Sequence, residues 1–244
     1  MLATLRRRSK SVMTRLLAAS CCALCGRSGA SALCAPCRQR YLPAAPPRCA
    51  QCAITLPAGA AARLCGACLS HPPAFDAAIV VTDYVAPLDQ LVLSLKFGGQ
   101  LALAPLFGTL LAEALREQPS DAWPTLLAPV PLGLHRLTER GFNQALEIGR
   151  PLARLPGVTL APRLVARCRE TAPQTLLAPA ERRANLRHAF MVPPGKLARV
   201  RGCHVGIVDD VITTGVTLNE IAAMLKRAGA ARVTCLAFAR TPHR

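Results

Sequence analysis

Residues 204–217, His-Val-Gly-Ile-Val-Asp-Asp-Val-Ile-Thr-Thr-Gly-Val-Thr, carry the densest chemistry in the chain. The apolar run at 205–208 reads as a buried strand that ends in two adjacent carboxylates, Asp209 and Asp210. A small hydroxyl-rich turn follows, with Thr213, Thr214, Gly215 and Thr217. Leu218, Ile221, Ala222 and Leu225 then recur at helical spacing, and Gly229 marks the helix stop. Amide N–H groups in such a turn, backed by a helix N-terminus, form a cradle for a phosphate. The threonine hydroxyls add donors, and Gly215 lets the backbone come close. Two acids beside that cradle would repel the phosphate unless they serve another part of the ligand. Ionised carboxylates only accept hydrogen bonds, which suits vicinal sugar hydroxyls. The spacing therefore points to a sugar phosphate. The sequence has no Gly-Lys-[Ser/Thr], so a Walker-type loop is excluded.

The surrounding elements place this turn in an α/β domain. Residues 75–84 read as a strand, and Leu88, Leu91, Val92 and Leu95 as the buried stripe of a helix ending at Lys96-Phe97-Gly98-Gly99. A second amphipathic helix is expected over 101–116 and a short buried strand over 126–131. Arg136 and Arg140 follow that strand, where open α/β sheets bind ligands. A helix begins near Asn143, disturbed by Gly149 and Pro151. Residues 167–190 are polar and basic, with Arg167, Arg169, Thr171, Gln174, Thr175, Glu181, Arg182, Arg183 and Asn185. They read as a long loop with a short helix over 179–186, suited to closing over a ligand. Strands at 203–208 and 232–239 complete an alternating pattern, hence a mostly parallel sheet with flanking helices.

Ahead of this domain lie four Cys-x-x-Cys knuckles: Cys22/Cys25, Cys34/Cys37, Cys49/Cys52 and Cys65/Cys68. Two knuckles supply the four thiolates of one tetrahedral Zn²⁺, so two structural zinc sites are expected. Sequential pairing is the simplest; spacing leaves interleaved pairing open. Repeated knuckles without a convincing signal peptide favour zinc over disulfides. The division expected is a basic arm at 1–20, a double zinc-ribbon module at 21–70 and the α/β domain at 75–244.

Charge is uneven along the 244 residues. Residues 1–75 hold ten Lys or Arg and no acid, giving +10 of the net +17. Two tetrathiolate zinc sites at about −2 each reduce that excess to about +6. The basic balance fits a nucleic-acid partner and equally fits charge compensation of the thiolates. The only aromatic residue in 1–74 is Tyr41, which argues against a stacking platform for single strands in the module. No stretch of 18 uncharged apolar residues occurs, so membrane insertion is not expected. The apolar part of the amino terminus is broken by Thr14 and Arg15 and runs into the cysteine array, which reads as a cytoplasmic protein with a basic arm.

These segments resemble the ComF family of competence-associated, type I phosphoribosyltransferase-like proteins. The resemblance covers about residues 20–242 and rests on the knuckles, Leu95-Lys96-Phe97 with Gly99, and Pro129-Val130-Pro131-Leu132. It also rests on Arg140-Gly141-Phe142-Asn143-Gln144, on Thr171, Gln174, Glu181-Arg182 and Asn185-Leu186, and on the 208–217 turn. Two positions depart from the pattern: Gly98 stands where a basic residue is common, and His188 where a glycine is. The resemblance implies binding of phosphoribosyl pyrophosphate (PRPP) or a related ribose phosphate. Asp209 and Asp210 would hold the ribose hydroxyls, and Thr213, Thr214, Gly215 and Thr217 the 5-phosphate. Lys96, Arg136 and Arg140 would stabilise pyrophosphate together with Mg²⁺. Asp209, Asp210 and Arg140 would be the catalytic residues if phosphoribosyl transfer occurs. The resemblance also implies partners in natural transformation, namely single-stranded DNA and other competence proteins. No base-binding hood is recognisable in the sequence, so the acceptor stays open.

Overall fold

The computed structural model describes residues 20–43, 46–60, 63–168 and 189–242. The chain divides into two compact units, residues 1–43 and 44–244. That division separates the first two knuckles from the last two, which belong to the same unit as the sheet.

The first unit pairs β1 (Ser20–Cys21) antiparallel with β2 (Ser28–Gly29) and continues into α1 (Ala35–Tyr41). Cys34 caps α1, and Pro36 lies in its first turn, where the missing N–H costs nothing. Among its described residues the buried apolar ones are Cys22, Leu33 and Cys37.

The second unit opens with an Arg48↔Thr55 bridge closing a tight turn, then α2 (Gly66–Ser70). Cys49, Ile54 and Cys68 form a small core there. Ala53 belongs to the main core with Phe75, Ala78 and Val80, so this turn and the sheet share packing.

Five strands form one sheet: β3 (Ala77–Asp83), β4 (Leu126–Pro129), β5 (Thr159–Leu160), β8 (His204–Ile212) and β9 (Arg232–Arg240). Their order is β3-β9-β8-β4-β5, and every pairing is parallel. Residues 205–208 and 233–240 are buried throughout, as strands covered on both faces require. The helices that cover them are α3 (Leu88–Phe97), α4 (Leu103–Arg116), α6 (Gln144–Leu152) and α8 (Val216–Arg227). Helix α3 buries Leu88, Leu91, Val92 and Leu95, the stripe read from the sequence. Phe107 of α4 stacks on Phe238 of β9 with centroids 3.8 Å apart. Gly108 permits the close approach of α4 and α6, because a Cβ there would lie 2.3 Å from the Ile148 carbonyl oxygen.

A short two-stranded piece, β6 (Ala166–Arg167) with β7 (Phe190–Met191), precedes α7 (Leu197–Val200). The loop residues from Arg169 to Asn185 named above, and the helix expected over 179–186, lie outside the described residues, as does the basic arm through residue 19.

Two boundaries differ from the sequence reading. Strand β8 does not end at the acids but runs through them to Ile212, so Asp209 and Asp210 lie within it. Residues 134–140, between the strand and the helix expected from about Asn143, form a helix of their own, α5. It buries none of its residues, so no periodic stripe announced it, and Gly141 ends it in the left-handed conformation at φ 75°.

Candidate functional site

The strand order fixes where a ligand can enter. From β4 the chain moves outward to β5, whereas from β8 it moves the other way to β9, so the topological switch lies between β4 and β8. The last β4–β8 pairing is Pro129↔Val208, closed by the Val130 N–H donating to the Val208 carbonyl at 2.9 Å. Residues 209–212 therefore keep β9 as their strand neighbour and leave the β4 side open. Both acids sit at the mouth of that crevice.

Consecutive strand residues point to opposite faces, and the two acids have different surroundings. Asp210 is buried and pairs with Lys96 at the end of α3, Nζ to Oδ1 2.7 Å. Lys96 is therefore more than a charge complement to its own helix end. Asp209 stays partly exposed, and its Oδ1 accepts from the Asp210 N–H at 2.9 Å. Burial of the Asp209 carboxyl and then the Asp210 charge push its pKa up to about 7, against the pull of Lys96.

Arg140, the last residue of α5, is half-buried. Burial lowers its pKa, the Asp210 charge raises it, and Arg136 one turn earlier lowers it. Its guanidinium lies over the exposed Phe97 ring, 5.1 Å from the centroid, and among the described residues its buried Nε has no hydrogen-bond partner. Lys96 and Arg140 thus reach the acid pair from two elements, and Arg136 lies beside Arg140 on α5. Asn143 anchors the next helix: its Oδ1 accepts from the Leu146 N–H at 3.2 Å, and its Nδ2 donates to the Val130 carbonyl at 3.0 Å.

Beyond the acids, Thr213 and Thr214 are exposed, and Gly215 caps α8 with φ 78° and ψ 0°. A side chain at Gly215 would meet little, but the left-handed backbone strains any other residue. This glycine starts α8 directly after the threonines, leaving the first amides of the helix without a side-chain cap from Gly215 itself and placing Thr217 in the first helical turn.

The thiols of Cys22, Cys25, Cys34 and Cys37 lie within 4.8 Å of one another, as do those of Cys49, Cys52, Cys65 and Cys68. The knuckles therefore pair sequentially, and the twelve cysteines are free of disulfides. The Cys34 N–H donates to Cys22 Sγ at 3.4 Å and the Cys65 N–H to Cys49 Sγ at 3.3 Å, the support a bound thiolate needs. Four clustered sulfurs with amide donors fit a closed tetrahedral Zn²⁺ site.

Two residues around the site escaped the sequence reading. Arg240 at the end of β9 is buried and donates to the carbonyl oxygens of Ile212, Thr213, Thr241 and Cys52. Arg48 pairs with Asp83, Nη1 to Oδ1 2.7 Å, tying the start of the second cysteine cluster to the end of β3. A cleft of about 630 Å³ lined by Ile54, Leu56, Leu64, Asp83 and Pro242 lies beside that region, and neither the acids nor the threonine turn line it.

A parallel sheet with acids and a helix-capping turn at its switch point, joined to two clusters of four cysteines, defines a phosphoribosyltransferase-type domain with metal-binding modules. The family model of the phosphoribosyl transferase domain matches residues 157–244. DNA utilization protein YhgH of Salmonella typhi and of Escherichia coli (strain K12) are each 38% identical over 196 residues, 79% of this chain and 84% of theirs. Competence protein F of Haemophilus influenzae is 34% identical over 182 residues, 73% of this chain and 79% of that protein. The chain belongs to this ComF family. Among solved structures, an allosteric regulatory enzyme of purine biosynthesis aligns at a TM-score of 0.38 and 22% identity, covering 56% of this chain and 25% of that one.

The raised Asp209 pKa gives a measurable sign. The native state holds this proton more tightly than the unfolded chain, so the contribution to stability is complete below about pH 4 and is lost as pH rises through about 7. Sugar hydroxyls donating to the ionised form act in the opposite direction. A ribose 5-phosphate held through ionised Asp209 would therefore gain about tenfold in affinity from pH 6 to pH 8. The ligand's own phosphate titrates near 6, so calorimetry on Asp209→Asn supplies the baseline. Parallel profiles for the two proteins would remove Asp209 from the site.

Proposed function

We propose that the crevice between β4 and β8 binds a ribose 5-phosphate, with PRPP as its natural form, in a protein that handles single-stranded DNA during DNA uptake. The observation that carries this reading is the approach of Lys96 and Arg140 to Asp209 and Asp210 beside the Gly215-capped helix. The acids accept from the ribose hydroxyls, while Thr213, Thr214, Gly215 and Thr217 surround the 5-phosphate. The names of the relatives, DNA utilization protein and Competence protein F, support the wider role. The net charge of +17 supports contact with phosphates.

A second reading, transfer of the phosphoribosyl group to a nitrogen nucleophile in nucleotide or base salvage, is favoured by one feature. Arg140 lies against the acids at the end of α5 with Arg136 one turn earlier on the same helix face, and departing pyrophosphate charge would gather beside them. Mg²⁺ bound with PRPP would neutralise part of that charge. Arg140 stabilises the leaving group in this reading, and Asp209 and Asp210 hold the ribose still while it departs.

Calorimetry of the zinc-loaded protein with PRPP and Mg²⁺ tests the site; micromolar binding is expected, and no heat at millimolar ligand would overturn it. Release of pyrophosphate with an added base separates the second reading from the first. Among the described residues no helix is long and apolar enough to cross a membrane. Binding of a short single-stranded oligonucleotide is expected to weaken about 300-fold between 50 and 200 mM salt if six phosphates are contacted. Salt-insensitive binding would exclude the basic surface as the contact.

A further inference from the structure

Arg240 is the one charged residue in an otherwise apolar strand end. It is 6% exposed, and its Nη1 donates to the Ile212 carbonyl at 2.9 Å, to the Thr213 carbonyl, and to the Thr241 carbonyl at 3.2 Å. Its Nε donates to the Cys52 carbonyl at 3.1 Å. One guanidinium thus grips the backbone on both sides of it: the start of the threonine turn and a knuckle of the second cysteine cluster. The Thr241 N–H also donates to the Ile212 carbonyl, at 2.9 Å, so the end of β9 holds the start of the turn by backbone and side chain alike.

A buried cation needs a compensating charge, and carbonyl dipoles supply only part of it. The described partners of Arg240 are carbonyl oxygens rather than carboxylates. The nearby cluster of Cys49, Cys52, Cys65 and Cys68 would carry four thiolates and one Zn²⁺, a net charge of about −2. That is the counter-charge the buried guanidinium lacks. A metal in this cluster fixes the Cys52 backbone as well, because Cys52 is itself a ligand.

We infer that Arg240 is a positioning residue that couples the metal state of the second cysteine cluster to the shape of the 213–217 phosphate turn. The second zinc site is then part of the ligand site in effect, although none of its sulfurs touches ligand. With metal bound, Arg240 is held from the Cys52 side and pins the carbonyls of Ile212 and Thr213 outward, leaving the following amides free to face a phosphate. Without metal, the Cys52 backbone loosens, Arg240 loses its counter-charge and the turn loses its anchor. The ligand consequence rests on the ribose-phosphate reading; the coupling of metal to turn does not.

The test follows from that separation. Hydrogen exchange over 212–217 is measured in the zinc-loaded full chain, in Arg240→Met, in Arg240→Lys, and in Cys68→Ser, with 233–239 as the internal control for global unfolding. Arg240→Met is expected to keep both zinc ions and the slow exchange of 233–239 while speeding exchange of 212–217 at least tenfold. Arg240→Lys, which keeps the charge but loses the fork, is expected to fall between. Cys68→Ser is expected to lose one zinc and speed the same peptide, and combining it with Arg240→Met should add little. Cys22→Ser, which empties the other cluster, serves as the comparison.

Unchanged exchange of 212–217 in Arg240→Met would overturn the inference, as would equal acceleration in Cys22→Ser and Cys68→Ser. If Cys68→Ser unfolds the sheet, Arg240→Met still decides. Titration with ribose 5-phosphate then tests the linked reading, with at least a tenfold loss of affinity expected in Arg240→Met. A parent protein that binds no ribose 5-phosphate, yet shows the exchange effects, would refute the ligand reading and leave the coupling standing.

Discussion

Replacing both acids, Asp209→Asn with Asp210→Asn, is expected to remove PRPP and ribose 5-phosphate binding while leaving the protein folded. Hydrogen bonds to a charged group are worth about 1.5–3 kcal/mol each, so losing two costs about 3–6 kcal/mol, or 10² to 10⁴ in affinity. The stability terms oppose each other. Neutralising Asp209 relieves a buried carboxyl already resisting ionisation, with its pKa at about 7. Neutralising Asp210 takes the charge partner from Lys96 in a mostly buried pair, the side chains being 8% and 23% exposed, and leaves only a neutral hydrogen bond in its place. A net change within about 1 kcal/mol moves the melting temperature by no more than about 4 °C for a domain of this size. Calorimetry and a thermal melt on the same preparation check both halves. Unchanged affinity would take the acids out of the ribose site. Lost binding with a collapsed melt would make them structural, and Asp209→Asn alone would then separate the two roles.

The parts of this site that were legible in the sequence are those whose residue types carry their own geometry. Gly215 reads as a turn because few other residues tolerate φ 78°, and the apolar run before Asp209 reads as a strand because both its faces are covered. The strand continuing through Asp209 and Asp210 was hidden, since adjacent carboxylates look like the end of a buried element. They stay in the strand because β9 keeps pairing with β8 to Ile212 after β4 has stopped. Helix α5 was hidden for the opposite reason: Leu134 and Leu137 are exposed, and without a buried stripe there is no period to find. Lys96 was visible as a residue but not as the partner of Asp210, because ion pairs between distant segments leave no local trace. Arg240 had one signal, a lone cation closing a nine-residue strand that is otherwise buried from Val233 onward. A surface cation belongs on a strand that alternates, and this one does not.

Metal removal is expected to have its largest effect on the first unit. Residues 20–43 bury only Cys22, Leu33 and Cys37 among their apolar side chains, and two of those are metal ligands. One leucine cannot offset the conformational entropy of ordering about two dozen residues at roughly 1–2 kcal/mol each. Zinc binding, with apparent free energies of about 10–16 kcal/mol in small zinc modules, is the largest favourable contribution open to this unit, so its folding and metal binding are one event. Chelation, or Cys22→Ser, is expected to collapse amide protection over residues 22–41, including the α1 bonds and the Cys22 N–H donated to the Arg27 carbonyl at 2.8 Å. The sheet has its own core of Phe107, Phe238, Leu127, Ile148 and Ile207, each fully buried, and its central strands are expected to keep their protection. Residue-resolved hydrogen exchange before and after chelation distinguishes the outcomes. Retained protection over 22–41 without metal would mean that the cysteines are not what folds this unit. Loss of protection in the sheet at the same chelator concentration would mean that metal holds the whole chain together, a broader dependence than its core implies.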